Sequence, residues 1–263
     1  MNSNPIGVFD SGIGGLTVVK EIIQKLPNES IIYVGDTARV PYGTRGKLVI
    51  RKFALELVNF LLEKKVKVLV VACNTISATC LSEIKRISPV PVLGVIKPAV
   101  RFALKQTKTG LIGVIGTRAT ISSKVYEKEL GRKVKVKSVA CPLFVPLAEE
   151  GLTKDPATKL IAGKYLKTFL DFKIDTLVLG CTHYPILRKA IQETVGESVT
   201  LVDSAKPTAE ELKVFLENNN LLNKSKKPKY NFYVTDLIDR TQEIADGFFE
   251  GKIPIKLQII ALR

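Results

Sequence analysis

Hydrophobic residues in this chain follow two alternating rhythms. Short runs rich in Val, Ile and Leu, at 5–9, 30–34, 66–72, 90–95, 111–115, 134–138, 176–180 and 199–202, predict buried strands. Amphipathic stretches between them, at 18–26, 47–64, 77–87, 98–106, 122–130, 157–172 and 184–195, predict helices. Strand–helix alternation of this kind predicts doubly wound, parallel α/β sheets, whose ligands lie beyond the carboxyl ends of the strands. Asp10, Asp36, Cys73, Thr117 and Cys181 all fall at such ends.

The pattern occurs twice. Val68-Leu-Val-Val-Ala-Cys73-Asn74-Thr75 is echoed by Thr176-Leu-Val-Leu-Gly-Cys181-Thr182-His183, with the cysteines 108 positions apart. Upstream, Ile6-Gly-Val-Phe-Asp10-Ser11 is echoed by Ile112-Gly-Val-Ile-Gly116-Thr117, 106 positions on. Two landmarks at nearly constant offset predict a duplicated α/β unit: two similar doubly wound lobes related by a pseudo-twofold, with one thiol from each. Gly94-Val-Ile-Lys97-Pro98 and Val202-Asp-Ser-Ala-Lys206-Pro207 each end a strand and open a helix, with Pro in the first turn, where its missing N–H costs nothing. These mark the crossings between lobes. The first lobe is expected over 1–98 plus 207–263 and the second over 99–206, with the cleft between the repeats. The polar segment 218–230 reads as an exposed loop, and Phe232-Tyr-Val as a strand returning to the first lobe.

Composition narrows the setting. The chain carries a net charge of +15, but its lysines are dispersed, the densest groups lying at 64–67, 133–137 and 224–229. No aromatic-rich basic motif or recognition helix accompanies them, so a lysine-rich solvated surface is the reading, with no nucleic-acid partner. Such a surface mildly favours anionic small molecules. Four cysteines without a Cys-x-x-Cys pair, and no signal-peptide pattern at the start, predict a reducing cytoplasm. No apolar run approaches the roughly 20 residues needed to span a bilayer, so no membrane partner is expected. No metal is expected either, because Cys73, Cys181 and His183 form no short-range chelate.

The chemistry concentrates in a few places. Asp10-Ser11-Gly12-Ile13-Gly14-Gly15 is a glycine-rich turn before a helix, offering backbone N–H groups to an anion. Its spacing is not that of a dinucleotide fingerprint, although Asp36 ending the next strand keeps a nucleotide reading open. An acid ahead of the glycines would repel a phosphate and suits an ammonium or a mobile proton. Tyr42, fixed by Pro41 and Gly43, is placed to close over a cleft. A cysteine at a strand end is more often a small buried hydrophobe than a reactive group. Two at matching points of a repeat, each trailed by hydrogen-bonding residues, reverse that reading. A helix start favours the thiolate, and modest stabilisation from about 8.5 supplies a usable base near neutrality. Two such thiols facing each other can act on opposite faces of one carbon. His183, the only histidine, stands where it can help a thiol exchange its proton, and a carboxylate of the Glu149-Glu150 pair where it can orient that ring. Cys80, placed within a helix, and Cys141, before Pro142, read as structural. Dithiol redox chemistry is the poorer alternative, because those thiols must lie close enough to bond.

Taken together, Phe9-Asp-Ser-Gly-Ile-Gly-Gly-Leu-Thr17, Gly35-Asp-Thr-Ala-Arg-Val-Pro-Tyr-Gly43, Ala72-Cys-Asn-Thr-Ile-Ser77, Glu150-Gly151 and Gly180-Cys-Thr-His-Tyr-Pro185 resemble the glutamate racemases almost end to end. The resemblance implies two similar α/β lobes with the active site between them, and racemisation of L-glutamate to D-glutamate for peptidoglycan synthesis, with no cofactor. It implies that Cys181 takes the α-proton of L-glutamate while Cys73 donates to the other face. Asp10 would assist Cys73, and Glu150 and His183 would assist Cys181. Asp10, Ser11, Tyr42, Gly43, Asn74, Thr75, Thr117, Thr120, Thr182 and His183 would hold the amino acid. Related enzymes are often dimers, so a homodimer is compatible with the resemblance. The aspartate racemases of the same superfamily are the nearest rival, and His183 favours glutamate because they usually carry an acid at that point.

Overall fold

Valine and isoleucine runs with no polar interruption sit most favourably in strands covered on both faces, and that is where this chain puts them. The computed structural model describes residues 3–224, 227–237, 239–249 and 255–262. One sheet has six parallel strands in the order β10 (Leu257–Ile259), β9 (Tyr230–Val234), β2 (Ile31–Gly35), β1 (Ile6–Asp10), β3 (Val68–Val71), β4 (Val92–Gly94). The other has four, also parallel, in the order β6 (Lys135–Ala140), β5 (Leu111–Gly116), β7 (Thr176–Gly180), β8 (Thr200–Val202).

The duplication is written into the strand register. The order β2-β1-β3-β4 is repeated as β6-β5-β7-β8. Ile6 pairs with Val68 as Ile112 pairs with Thr176, and Leu69 pairs with Val92 as Leu177 pairs with Leu201. Cys73 stands five residues beyond Val68 and Cys181 five beyond Thr176, at equivalent points of the two sheets.

Helices fill both faces. In the first half these are α1 (Leu16–Lys25), α2 (Lys47–Glu63), α3 (Asn74–Thr79), α4 (Leu81–Ile87) and α5 (Ile96–Gln106). In the second half come α6 (Arg118–Ser122), α7 (Val125–Leu130), α8 (Phe144–Glu149), α9 (Pro156–Phe172), α10 (Arg188–Val195), α11 (Ala205–Asn218) and α12 (Asp239–Phe249). The two lobes exchange one helix each. α5 follows β4 of the first sheet, yet Ile96, Val100 and Ala103 pack with Ile112, Val114, Val178 and Val202 of the second. α11 follows β8 of the second sheet, yet Ala205, Ala209, Leu212 and Leu216 pack with Val8, Val18, Val19 and Ile22 of the first. Both crossings open on the Lys-Pro pairs noted in the sequence.

Three expected helices are broken. The 77–87 stretch becomes α3 and α4 with Cys80 between them at φ −137°, outside helical space, so Cys80 does not lie within a helix. The Ser77 and Thr79 hydroxyls bond back to the carbonyls of Val71 and Thr75, the local competition that shortens hydroxyl-rich helices. The 122–130 stretch breaks at Lys124, with φ of +53°, and that from 184 begins as a 3-10 turn around Pro185 before α10. Helices α8 and α12 and strand β10 were not among the elements expected from the sequence. Among the described residues no helix is long and apolar enough to cross a membrane.

Candidate active site

The loops leaving β1, β2, β3, β5 and β7 converge from opposite sides on one small, tightly lined chamber. Ser11, Tyr42, Gly43, Cys73, Asn74 and Thr75 line it from the first lobe, and Thr117, Cys181, Thr182 and His183 from the second. Val40, Pro41 and Val145, none of them among the expected site residues, complete the wall. Asp10 sits beneath this lining, fully buried.

On the first side, Cys73 closes β3 at the cap position of α3, and its thiol donates to Ser11 Oγ at 3.4 Å. Burial, with the Asp10 charge second, pushes the Cys73 thiol far above its ordinary range, while Ser11 and the Ile76 N–H pull weakly the other way. The helix start therefore acts in the expected direction but is outweighed by desolvation, and this thiol rests protonated. Asp10 accepts from the Gly15 N–H at 2.7 Å and from Thr182 Oγ1 at 3.3 Å, both at Oδ2. Its Oδ1 is buried with no hydrogen-bond partner among the described residues. Burial raises the carboxyl above its usual range despite the opposing charge of His183 and the Gly15 N–H.

The second side is built differently. Cys181 Sγ lies 3.9 Å from His183 Nδ1, and His183 Nε2 lies 3.1 Å from Glu149 Oε1. The ring is 2% exposed. Burial alone would lower the imidazole, but the hydrogen bonds and charges of Cys181 and Glu149 outweigh it and hold His183 well above the usual histidine range. The carboxylate on the ring thus belongs to Glu149, not to Glu150. The two sit at the end of α8, where successive side chains diverge by roughly 100°, so only one can face His183. Glu150 instead shares with Glu149 the wall of a neighbouring cavity that also includes Val40 and Asp236.

The Tyr42 hydroxyl donates to Asp36 and its ring packs on Phe53, 5.5 Å between centroids, so residue 42 lines the chamber with its phenol already engaged. Asp36 is buried among Tyr42, Arg39 and Thr235, which leaves no carboxylate for a ribose and removes the nucleotide reading. In the glycine turn the Gly15 N–H is given to Asp10. What the glycines supply is proximity. A Cβ at Gly14 would lie 2.6 Å from Thr182 Oγ1, and one at Gly43 would lie 2.3 Å from Thr117 Cβ.

Hydroxyls join the lobes across the chamber. Thr75 Oγ1 is 2.9 Å from Thr117 Oγ1, which is 3.0 Å from Thr120 Oγ1. Thr120 stands behind this pair and does not line the chamber. Tyr126, which the sequence reading missed, donates from the second lobe to Asn74 Oδ1 at 2.6 Å. Asn74 Nδ2 is buried with no hydrogen-bond partner among the described residues. Among the described residues the site thus has an unpartnered donor in the chamber wall, Asn74 Nδ2, and an unpartnered acceptor beneath that wall, Asp10 Oδ1.

Two α/β lobes related by duplication, with one cysteine from each lining a shared chamber, are the arrangement of an amino acid racemase. The chain belongs to the Asp/Glu/Hydantoin racemase family, whose model matches residues 6–212. It is 47% identical over 252 residues to the glutamate racemase of Geobacter metallireducens, covering 94% of this chain and 93% of that one. The crystal structure of glutamate racemase isoform RacE1 from Bacillus anthracis superimposes with a TM-score of 0.94 at 42% identity, covering 98% of each chain. That of the Francisella tularensis glutamate racemase in complex with D-glutamate superimposes with a TM-score of 0.92 at 40% identity, covering 99% of this chain and 98% of that one. An aspartate racemase from Picrophilus torridus, at 16% identity and a TM-score of 0.55, shares the fold alone.

Proposed function

We propose that this protein interconverts L- and D-glutamate without a cofactor, by two-thiol acid/base chemistry, supplying D-glutamate for peptidoglycan. The observation that carries the proposal is the equivalence of Cys73 and Cys181 in strand register, combined with their unequal partners. In the L-to-D direction the Cys181 thiolate removes the α-proton, and the Cys73 thiol delivers its proton to the opposite face. A protonated His183 places positive charge beside the sulfur that must act as base, while burial keeps Cys73 in the S–H form that a donor needs. In the D-to-L direction the tasks exchange.

An amino acid α-proton is weakly acidic, and the carbanion must be stabilised by fixed donors in a site cleared of water. Asn74 Nδ2 and the Thr75, Thr117 and Thr182 hydroxyls are the material for holding the carboxylates, and Asp10 Oδ1 for holding the ammonium. Glu149 replaces Glu150 as the carboxylate that orients His183. We take 1–98 with 207–263 and 99–206 as the two lobes that close on the substrate. Four free cysteines are in keeping with a cytoplasmic enzyme. Association into a homodimer belongs to the same reading and is checked by sedimentation velocity.

The test is racemisation of each glutamate enantiomer by purified protein with nothing added, followed by polarimetry, together with α-hydrogen exchange in deuterated water. Cys73→Ala and Cys181→Ala should each abolish racemisation. A fully active single variant would overturn the two-base assignment, and turnover of aspartate but not glutamate would move the substrate to the rival.

A further inference from the structure

Asp36 directly follows β2 as a fully buried carboxylate that touches none of the reacting groups, yet each of its oxygens is engaged. Oδ2 accepts from the Tyr42 hydroxyl and from Arg39 Nε at 2.6 Å. Oδ1 accepts from Thr235 Oγ1 at 2.8 Å, and that same hydroxyl accepts the Ala38 N–H at 3.0 Å. Arg39 continues the network to Glu56 at 2.5 Å and lies 3.9 Å over the Phe53 ring, on which Tyr42 also packs. One residue further, the Thr37 hydroxyl donates to the Asp236 carbonyl and accepts the Asp236 N–H at 2.9 Å. The loop 36–44 is therefore clamped from two sides, by Arg39 and Tyr42 within it and by Thr235 and Asp236 just beyond β9.

This clamp bears on the chamber. Val40, Pro41, Tyr42 and Gly43 of the clamped loop form its wall, and Gly43 meets Thr117 of the opposite lobe so closely that a Cβ has no room. A loop free to move by a fraction of an ångström would have to be ordered each time the lobes close on a ligand, at a cost taken from binding. Thr235 lies outside the 6–212 region that the family model matches, so this contact ties the last strand pair of the first sheet to the site.

We propose that Asp36 and Thr235 are positioning residues that hold the 40–44 loop in its ligand-binding place, acting through Tyr42 and Gly43 and not on the reacting carbon. The inference rests on the glutamate racemase reading for its kinetic signature. Thr235→Val keeps the side-chain shape, removes the hydroxyl and leaves Asp36 Oδ1 unpartnered.

The experiment compares Thr235→Val, Thr235→Ser and Asp36→Asn with the wild type by steady-state kinetics in both directions, thermal melting and amide hydrogen exchange. Thr235→Val is expected to raise KM for both enantiomers about five- to tenfold with kcat within about twofold, and Thr235→Ser to restore KM. Asp36→Asn, which weakens the Arg39 contact, should raise KM at least as far. Exchange should quicken in peptides covering 37–46 and stay unchanged around Cys181, with the melting temperature of Thr235→Val close to that of the wild type. Unaltered exchange over 37–46, or a fall in kcat without a change in KM, would overturn the proposal. Wild-type protein that fails to racemise glutamate while Thr235→Val still loosens 37–46 would instead count against the substrate reading and leave the clamp in place.

Discussion

Thr182 Oγ1 donates across the lobe boundary to Asp10 Oδ2 at 3.3 Å, so the carboxylate that attends Cys73 is held in part by the neighbour of Cys181. The two halves of the site are coupled through that contact. Removing the hydroxyl with Thr182→Val leaves a buried carboxyl short of a donor, so kcat/KM should fall about tenfold or more in both directions. Thr182→Ser should retain most of the activity, as initial rates from each enantiomer would show.

The chain has a single histidine, so its imidazole can be followed by NMR without ambiguity. Its midpoint is expected well above 6.5, because Cys181 and Glu149 outweigh the burial that opposes its charge. Glu149→Gln should move the midpoint down and slow L-to-D turnover by at least about tenfold, with a smaller effect from Glu150→Gln. The sign for stability follows from linkage. The proton on His183 stabilises the fold fully below the unfolded value of about 6.5, and that contribution is lost as pH rises through the folded value. Thermal melts of wild type and His183→Asn between pH 6 and pH 9 should converge toward the alkaline end as this contribution disappears.

Gly43→Ala places a methyl group 2.3 Å from Thr117 Cβ, a separation that real side chains do not show. The lobes would have to part at that point, so KM should rise more than about tenfold while the separate lobes stay folded. Adding Thr117→Gly opens the space again and should recover part of the loss. A Gly43→Ala enzyme with wild-type KM would show that this contact is not made in the substrate-bound state.

Lys67 and Glu29 form a fully buried ion pair, 2.6 Å between Nζ and Oε2, with Lys67 also donating to the Leu221 carbonyl at 2.7 Å. Glu29 Oε1 accepts the Asn223 N–H at 2.7 Å, so the pair pins the segment after α11 to the first sheet. Lys67→Met strands a buried carboxylate and should cost about 3–5 kcal/mol, lowering the melting temperature by about 10 °C. Replacing both residues by Met should recover part of that loss, because the uncompensated charge is then gone.

The split between what could be read from residues and what could not has a physical basis. Strand positions were legible because a strand covered on both faces tolerates only apolar residues, and the two copies announce themselves at offsets of 106 and 108. Cys73 and Cys181 were legible for the same reason, since each follows such a strand directly. Helix breaks at Cys80 and Lys124 were not, because hydroxyl back-bonding and a left-handed residue leave the apolar spacing nearly intact.

By itself, then, the sequence determined a duplicated α/β fold, two thiols at equivalent strand ends and the set of polar residues around them. Only the tertiary structure decided which of those residues meet. Glu149 rather than Glu150 reaches His183 because of how α8 is rotated against the second sheet. Tyr42 turns its hydroxyl to Asp36, and Tyr126 supplies the donor to Asn74, because those contacts join segments far apart in the chain. Periodicity records which face of an element is apolar, whereas the pairing of polar groups depends on the distance and rotation between elements that packing alone sets.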